Sequence, residues 1–573
     1  MSSEKKIVRK EVRFAIHLPK NDSREDGHYI KEQVWYEGDN TPTPRSYIAV
    51  NFKRPIWVTK NAYRNHKEKK EFEDIDKLNK TYTTQSDINI TVAGLLGTPH
   101  LANYIDAIKN SPYVYGYDIT STSLIKYITL KKNDFIQSPY TVAAFDIETN
   151  PDTEEIILAT IAFGKRTYTA VLKKFIKNVS DVNYRVKRAL ETYLPNYEEK
   201  YKDLDFKVEI FDNEVDLLKG VFKVANDWAP DFLAIWNMNF DIPMILKRLK
   251  YFNVSPIDVI CDQSIPRKYR YCRYKEGISK KVTASGVLKP INPSLRWHTL
   301  FSTSSFYVID AMCVYRQLRM AKQEEPSYSL DYILKKELNT QKLKFKEADG
   351  YSGLKWHFFM QENYPVEYLV YNMYDCLSML ELDNKIKDLT TTLPSFAGIT
   401  DFNKFNSNPK KIVDALFLFG MERGRVIGTV AKINKKEEEI TDEELDRVIE
   451  EEESEEDEMD PSKYKTLSLK GWIQLLPQHL LLHEGLKCLE EYPDIVTNIR
   501  GVVCDQDASA AYPSCTLVAN VSKETCRHEL IQIEGVKEDT FKEMNLSVCL
   551  GNANMLEYFN VMFGMPSLLE LDV

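Results

Sequence analysis

The sequence of 573 residues predicts an α/β protein built on a mixed sheet, and three observations carry that expectation. From residue 141 onward, strand-like runs (TVAAFDIE, EIILATIAFG, FLAIWN) alternate with helix-like ones (EVDLLKGVFKVANDW, DIPMILKRLKYF). Such alternation is the pattern of a sheet covered by helices. A long amphipathic helix over 365–387 closes this layer. Residues 464–573 return to mixed α and β character, so the same class extends to the end.

Ahead of this layer, SYIAVNFKRPIWV (46–58) alternates as strands do. The stretch 61–80 is charged and helix-biased, and KNAYRNHKEKKEF (60–72) within it reads as a plain charged helix without a function. After the long helix, the polar SNPKK leads into a further helix, IVDALFLFGMERG. There is no internal repeat. No apolar run approaches the roughly 18 residues needed to cross a bilayer, and MSSEKKIVRKEVRF lacks the apolar centre of a signal peptide. Nine cysteines without a CxxC pair argue against zinc ribbons and disulfide frameworks, and for a reducing, intracellular setting.

Net charge, −9 overall, is unevenly distributed. Residues 437–460 hold 16 acidic residues and one arginine; removing that −15 from −9 leaves +6 for the rest. A modestly basic body can bind nucleic acid although the whole-chain charge hides it. The acidic insert itself reads as a solvated loop, with partner docking or DNA mimicry as the other reading.

Three short stretches carry chemistry. In AAFDIETN, strand alternation puts Asp146 and Glu148 on one face and Ile147 on the other. In AIWNMNFDIPMIL, a strand ends near Trp236-Asn237 and Asp241 stands at a helix start, where a simple N-cap would also explain it. In EYLVYNMYDCLSML, Tyr371 and Asp375 lie one helical turn apart, with Leu369, Cys376 and Leu380 suited to the buried side. Each stretch alone has an ordinary explanation, as solvated acids or a polar helix face. Together, Asp146, Glu148, Asp241 and Asp375 can hold two divalent cations about 4 Å apart, the arrangement that cleaves phosphodiesters. All-oxygen ligands favour Mg2+ or Mn2+ over zinc, and the Tyr371 hydroxyl can orient water.

In that order, DIE, N-x-x-F-D and Y-x-x-x-D resemble the three exonuclease motifs of family B DNA polymerases, with the closest likeness to replicative enzymes of T-even-type phages. DASAAYPS (507–514) resembles that family's palm motif A. FYVIDAMCVYRQL, EPSYSLDYILKKELNTQKLKF and NPKKIVDALFL add to the likeness, which runs in patches from about residue 141. The resemblance implies an N-terminal domain over 1–140, rejoined by 386–495. It further implies a ribonuclease H-like 3′→5′ exonuclease domain over 141–385 and a partial palm over 496–573, without fingers or thumb. Asp146, Glu148 and Asp375 would then ligate Mg2+ or Mn2+, two per exonuclease site. Asp241 would act partly through a bound water, Tyr371 would position the nucleophile, and Asn237 would contact substrate. Phe240 is expected to pack.

In the palm motif, Asp507 would share two metal ions with a later Asp. Backbone amides at Ala510 and Ala511 would cradle a dNTP, and Tyr512 would exclude a 2′-hydroxyl. Ala510 and Ala511 replace the family's Ser and Leu, which removes a hydroxyl and some packing. Asp505 is a neighbouring acid on the same strand face. The family's fingers helix and D-T-D hairpin are not found; KEDTF (537–541) lacks the second Asp. The expected remedy is a second polypeptide carrying fingers, remaining palm and thumb, and with them any sliding-clamp contact. Met562, Phe563, Met565, Leu568, Leu569 and Leu571 are candidates for that seam, or for ordinary packing within the chain.

PRKYRYCRYKEGISKK (266–281) interleaves Arg267, Lys268, Arg270 and Arg273 with Tyr269, Tyr271 and Tyr274. This pattern suits a hairpin that touches phosphates and stacks on bases, or a solvated hairpin with tyrosines at its base. The family resemblance implies the proofreading 3′→5′ exonuclease and half-palm subunit of a two-chain DNA-directed DNA polymerase in viral replication, acting on primer-template and single-stranded DNA in the cytoplasm of a bacterial host, with no membrane. A stand-alone exonuclease with a vestigial palm and a silent DNA-binding scaffold are the alternatives.

Overall fold

The computed structural model describes residues 6–97, 104–282, 288–320 and 324–429. Its centre is an eight-stranded mixed sheet. The strands are β1 (Val142–Thr149), β2 (Ile156–Phe163), β3 (Arg166–Leu172), β4 (Asp205–Phe211), β5 (Phe232–Ile235), β6 (Cys272–Lys275), β7 (Thr299–Ser302) and β8 (Tyr307–Asp310). They lie in the order β4-β3-β2-β1-β5-β8-β7-β6. β1, β5 and β8 run parallel to one another, and β2 is antiparallel to β1. The α/β expectation with a mixed sheet is met.

Alternation along β1 assigns its two faces. Phe145 and Ile147 pack with α2 (Glu214–Trp228) and α3 (Met238–Tyr251) on one face, through Val221, Phe222, Ile242 and Ile245. On the other face Ala144 joins a core built on α1 (Val182–Tyr193) and α4 (Pro365–Ile386). α2 occupies the run read from sequence, started by the Asn213 side chain accepting from the Asp216 amide at 2.9 Å. α4 differs from expectation: every residue from Tyr368 to Met379 is buried, so the helix is central instead of amphipathic. Any polar group within that stretch has to find its partners inside the protein.

Residues 60–72 differ as well. Only a short 3-10 turn, Asn61–Tyr63, forms there, and the chain continues into strands Phe72–Asp74 and Leu78–Thr83. Charges spaced for a helix are used without one: Glu73 accepts from Lys70 at 2.5 Å and from Lys77 at 3.1 Å across a strand and turn. Phe72–Asp74 pairs with Arg425–Ile427, which returns from beyond α4.

A three-stranded antiparallel sheet (Ile7–Leu18, Gly27–Tyr36, Thr43–Val50) packs against the start of β1 and β5. Phe14, Ile16, Leu18 and Tyr29 meet Tyr140, Phe232 and Tyr307 there. At the polar centre of this junction sits Asp231, fully buried. It accepts from the Thr141 amide at 2.9 Å and Gln33 Nε2 at 3.2 Å, and lies 3.4 Å from Arg13 Nε. Arg13 also donates to Glu11 at 2.9 Å. Removing one member of a buried ionic group strands the others without solvent. Asp231→Ala is therefore expected to lower unfolding stability by about 3 kcal/mol, measured by urea unfolding; a loss below 1 kcal/mol would show the group is already solvated.

Candidate active site

β1 outruns its neighbour. It pairs with β5 only through Val142, Ala143 and Ala144. From Phe145 onward that side of β1 has no strand beside it, and its amides need another acceptor. α3 begins at this point, and Asp241 Oδ1 accepts from the Ile147 amide at 3.2 Å. Asp241 is thus not an N-cap. Asn237 holds the cap position in the left-handed region (φ 69°) without a side-chain cap bond. The Met238 amide instead donates to Asp310 Oδ2 at 2.8 Å, and Asp310 Oδ1 accepts from Cys313 at 3.0 Å. One aspartate therefore serves the starts of two helices.

Across the other face, α4 brings Asp375 to the two acids of β1. Carboxylate oxygens of Asp146, Glu148 and Asp375 all lie within 4.8 Å of one another. Asp241 approaches from the free edge. The four acids predicted from three separate stretches are thus brought together where β1 ends. Tyr371 lies one turn before Asp375 and is buried beside Trp356, with ring centroids 5.0 Å apart. A cleft of about 440 Å³ opens on this cluster, lined by Asp146, Asp375, Trp236, Asn237 and Lys342 among others.

Three partners were not singled out from sequence. Lys342 Nζ donates to Asp375 Oδ2 at 2.5 Å and to the Tyr371 hydroxyl at 3.2 Å. Tyr368 donates to Glu148 Oε2 at 2.5 Å, and its hydroxyl also receives Gln361 Nε2 at 3.1 Å. Asn372 Nδ2 donates to Asp146 Oδ2 at 2.6 Å. The only signal for these was a polar residue inside a helix that is otherwise buried, or a lysine distant in sequence. Asp375 Oδ1 remains buried without any partner.

Burial and mutual repulsion raise the carboxyl groups. Asp146 is pushed well above the usual range by burial and by Asp241, Glu148 and Asp375. Burial lifts Glu148 to about 7 against the Tyr368 hydrogen bond, and lifts Asp241 to about 8 against the Ile147 amide. Asp375 is also raised by burial, with Lys342 opposing. Tyr371 is held neutral by burial and by Asp375. Its O–H therefore remains a donor.

Other predicted residues are dispersed. PRKYRYCRYKEGISKK is not one hairpin: Arg267–Tyr269 forms a 3-10 turn, Cys272–Lys275 is the edge strand β6, and Lys280–Val282 pairs with Leu288–Pro290 in a separate ribbon. Tyr269, expected to stack on bases, is buried against Leu18 and Tyr29. Tyr274 bonds to His298 Nδ1 at 2.8 Å, and Tyr271 is half-buried in the same core as Tyr269. Arg270 donates to the carbonyls of Ile265 and Gln263, both at 2.8 Å. Arg267 pairs with Asp258 at 2.9 Å, while Lys268 and Arg273 are exposed. Phe240, expected to pack, is 48% exposed. Asp507, Ala510, Ala511 and Tyr512, with the acidic insert and the C-terminal apolar residues, lie outside the described residues. No helix among the described residues is long and apolar enough to cross a membrane.

These titrations have a direct consequence for stability without metal. Unfolded carboxyls titrate near 4, whereas folded Glu148 and Asp241 hold protons to about 7 and 8. The folded state then binds more protons across that interval, so stability falls as pH rises from about 4 to 8. With chelator present, the melting temperature is expected to drop between pH 5 and 8. Asp241→Asn should flatten that drop and melt higher than the native chain at pH 8. Equal slopes for both proteins would contradict the raised pKa that burial and its acidic neighbours impose on Asp241.

Comparison with known proteins agrees with this geometry. Residues 69–333 match the family model for the exonuclease domain of DNA polymerase family B. That range contains Asp146, Glu148 and Asp241; Tyr371 and Asp375 lie beyond it. The DNA-directed DNA polymerase of Escherichia phage RB69 is 29% identical over 223 residues, covering 38% of this chain and 21% of the phage protein. The aligned part thus spans about a fifth of that relative. Residues 69–333 are thus similar to the exonuclease domain of family B DNA polymerases, and the chain is similar over 223 residues to one such phage enzyme.

Proposed function

We propose that this protein is a divalent-metal-dependent 3′→5′ exonuclease that removes nucleotides from single-stranded DNA ends and proofreads a replicative polymerase. The observation that carries the reading is the convergence of Asp146, Glu148 and Asp375, with Asp241 at the free edge of β1. The donor set fits the cations: four carboxylates, no histidine or cysteine ligand among them, and one buried orphan oxygen on Asp375. Oxygen donors of this kind suit Mg2+ or Mn2+, two per site in this reading. When bound, such cations polarise a phosphodiester and lower the pKa of water.

The chain's own residues divide the remaining work. Tyr371, neutral and anchored beside Lys342, positions the attacking water through its hydroxyl. Lys342 neutralises Asp375 and presents positive charge where a phosphate would lie. Tyr368 and Asn372 fix the orientations of Glu148 and Asp146, as outer-shell partners do. Asn237, at the lip of the cleft, is placed to contact the terminal nucleotide. The ribbon Lys280–Val282/Leu288–Pro290 leads into Asn292 and Pro293, which line the same cleft.

The same proposal extends to polymerisation. Asp507 would contribute one carboxylate to a magnesium centre, Ala510 and Ala511 backbone amides would hold the dNTP, and Tyr512 would select deoxyribose. The likeness of DASAAYPS to the palm motif supports this extension.

The test uses a 5′-labelled primer on template with Mg2+ and all four dNTPs. Native protein is expected to shorten the primer, and Asp146→Ala with Glu148→Ala should abolish shortening. Tyr371→Phe should slow it by about 10²-fold. An untouched primer would overturn the exonuclease reading.

A further inference from the structure

A second group of potential ligands lies in the N-terminal sheet, on residues that the exonuclease chemistry does not use. His17 and His28 are directly paired across strands Ile7–Leu18 and Gly27–Tyr36, so both side chains leave one face. Their ring centroids are 5.0 Å apart. Asp26 immediately precedes the second strand and points into the same space. Its Oδ2 lies 2.9 Å from His17 Nε2 and accepts from the Ser86 amide at 2.9 Å.

The inner side of this group is unfinished. Asp26 is 1% exposed and His28 fully buried, yet Asp26 Oδ1 and His28 Nδ1 have no hydrogen-bond partner. They face each other at 3.8 Å. Buried polar atoms are ordinarily satisfied, and two orphans aimed at one point indicate a missing partner for both. The far nitrogen of His28 is already engaged: Nε2 lies 2.6 Å from Ser121 Oγ. With Nε2–H donating to that hydroxyl, the Nδ1 lone pair is directed inward, the tautomer of a metal-ligating histidine with its outer partner in place.

We propose that His17, Asp26 and His28 form a transition-metal site, with Zn2+ as the fitting ion. One ligand atom from each lies within 4.8 Å of the others. Tetrahedral bonds of about 2.0–2.1 Å would draw them in by roughly 1 Å. Two imidazoles and one carboxylate favour zinc and its neighbours over the Mg2+ or Mn2+ suited to the all-oxygen exonuclease cluster. The fourth position falls to water on the His17 side, where that half-exposed ring borders a cavity of about 300 Å³. The bound ion would tie the two strands to the segments carrying Ser86 and Ser121, a structural role distinct from the exonuclease site.

The test uses the full chain with Asp146→Ala and Asp375→Ala, so that the carboxylate cluster does not contribute metal. After chelator treatment, the protein is dialysed against Zn2+ and its metal content and melting temperature are measured. One equivalent of zinc is expected, with a raised melting temperature. Adding His17→Ala should abolish both, while circular dichroism of the metal-free proteins stays the same. His17 is partly exposed, so its removal leaves the core intact. Failure to retain zinc, or equal zinc content with and without His17, would overturn the proposal.

Discussion

Repulsion among four carboxylates held at the end of one strand is the constraint around which this structure is arranged. Asp146 and Glu148 are fixed side by side by the alternation of β1, and neither can move without breaking the sheet. Asp375 is carried in on the buried stretch of α4 and is 3% exposed where it lines the cleft. Asp241 gains the Ile147 amide in return for its place in the cluster. Like charges this close are tolerated only with protons or cations between them. In the metal-free state protons and Lys342 fill that role, and divalent cations are the natural replacement. A fold expected to gain stability from Asp241→Asn, yet carrying all four acids, sets function against stability at this point.

The N-terminal sheet serves the same end from a distance. Asp231, Arg13 and Thr141 lock the starts of β1 and β5 together, far along the strands from the acids. Tyr140 and Phe232, stacked with centroids 5.1 Å apart, extend the lock into the core. With its entry fixed, β1 can run unpaired beyond Ala144 on its β5 side without losing register. The open edge then becomes the opportunity that Asp241 uses. Packing at one end of a strand thus makes the polar arrangement at the other end affordable.

What the sequence disclosed depended on periodicity. The face shared by Asp146 and Glu148, the extent of α2 and the four-residue spacing of Tyr371 and Asp375 all follow from regular geometry, which a local pattern records. What it concealed depended on contacts between distant segments. Lys342 reaches Asp375 across a loop and two helices, and no local pattern marks it. Tyr368 and Asn372 look like any polar residues of a helix until α4 proves to be buried from Tyr368 to Met379. Lys70, Glu73 and Lys77 have helical spacing but satisfy one another in a strand and turn, because ion pairs need proximity and not a helix. Tyr269 sits among arginines in sequence, yet the chain turns it into the core. The orphan atoms of Asp26 and His28 are visible only once the two strands are paired.

The most direct test of the central claim is a titration of the metal-free protein with Mn2+, followed by electron paramagnetic resonance of the free ion. The account predicts that the native chain takes up two more Mn2+ ions than the variant carrying Asp146→Ala and Asp375→Ala. It also predicts that this difference shrinks as pH falls from 8 to 5, while the carboxyls regain their protons. Equal uptake by native and variant chains at pH 8 would contradict it, for the clustered carboxylates would then hold no cations and their convergence would serve some other purpose.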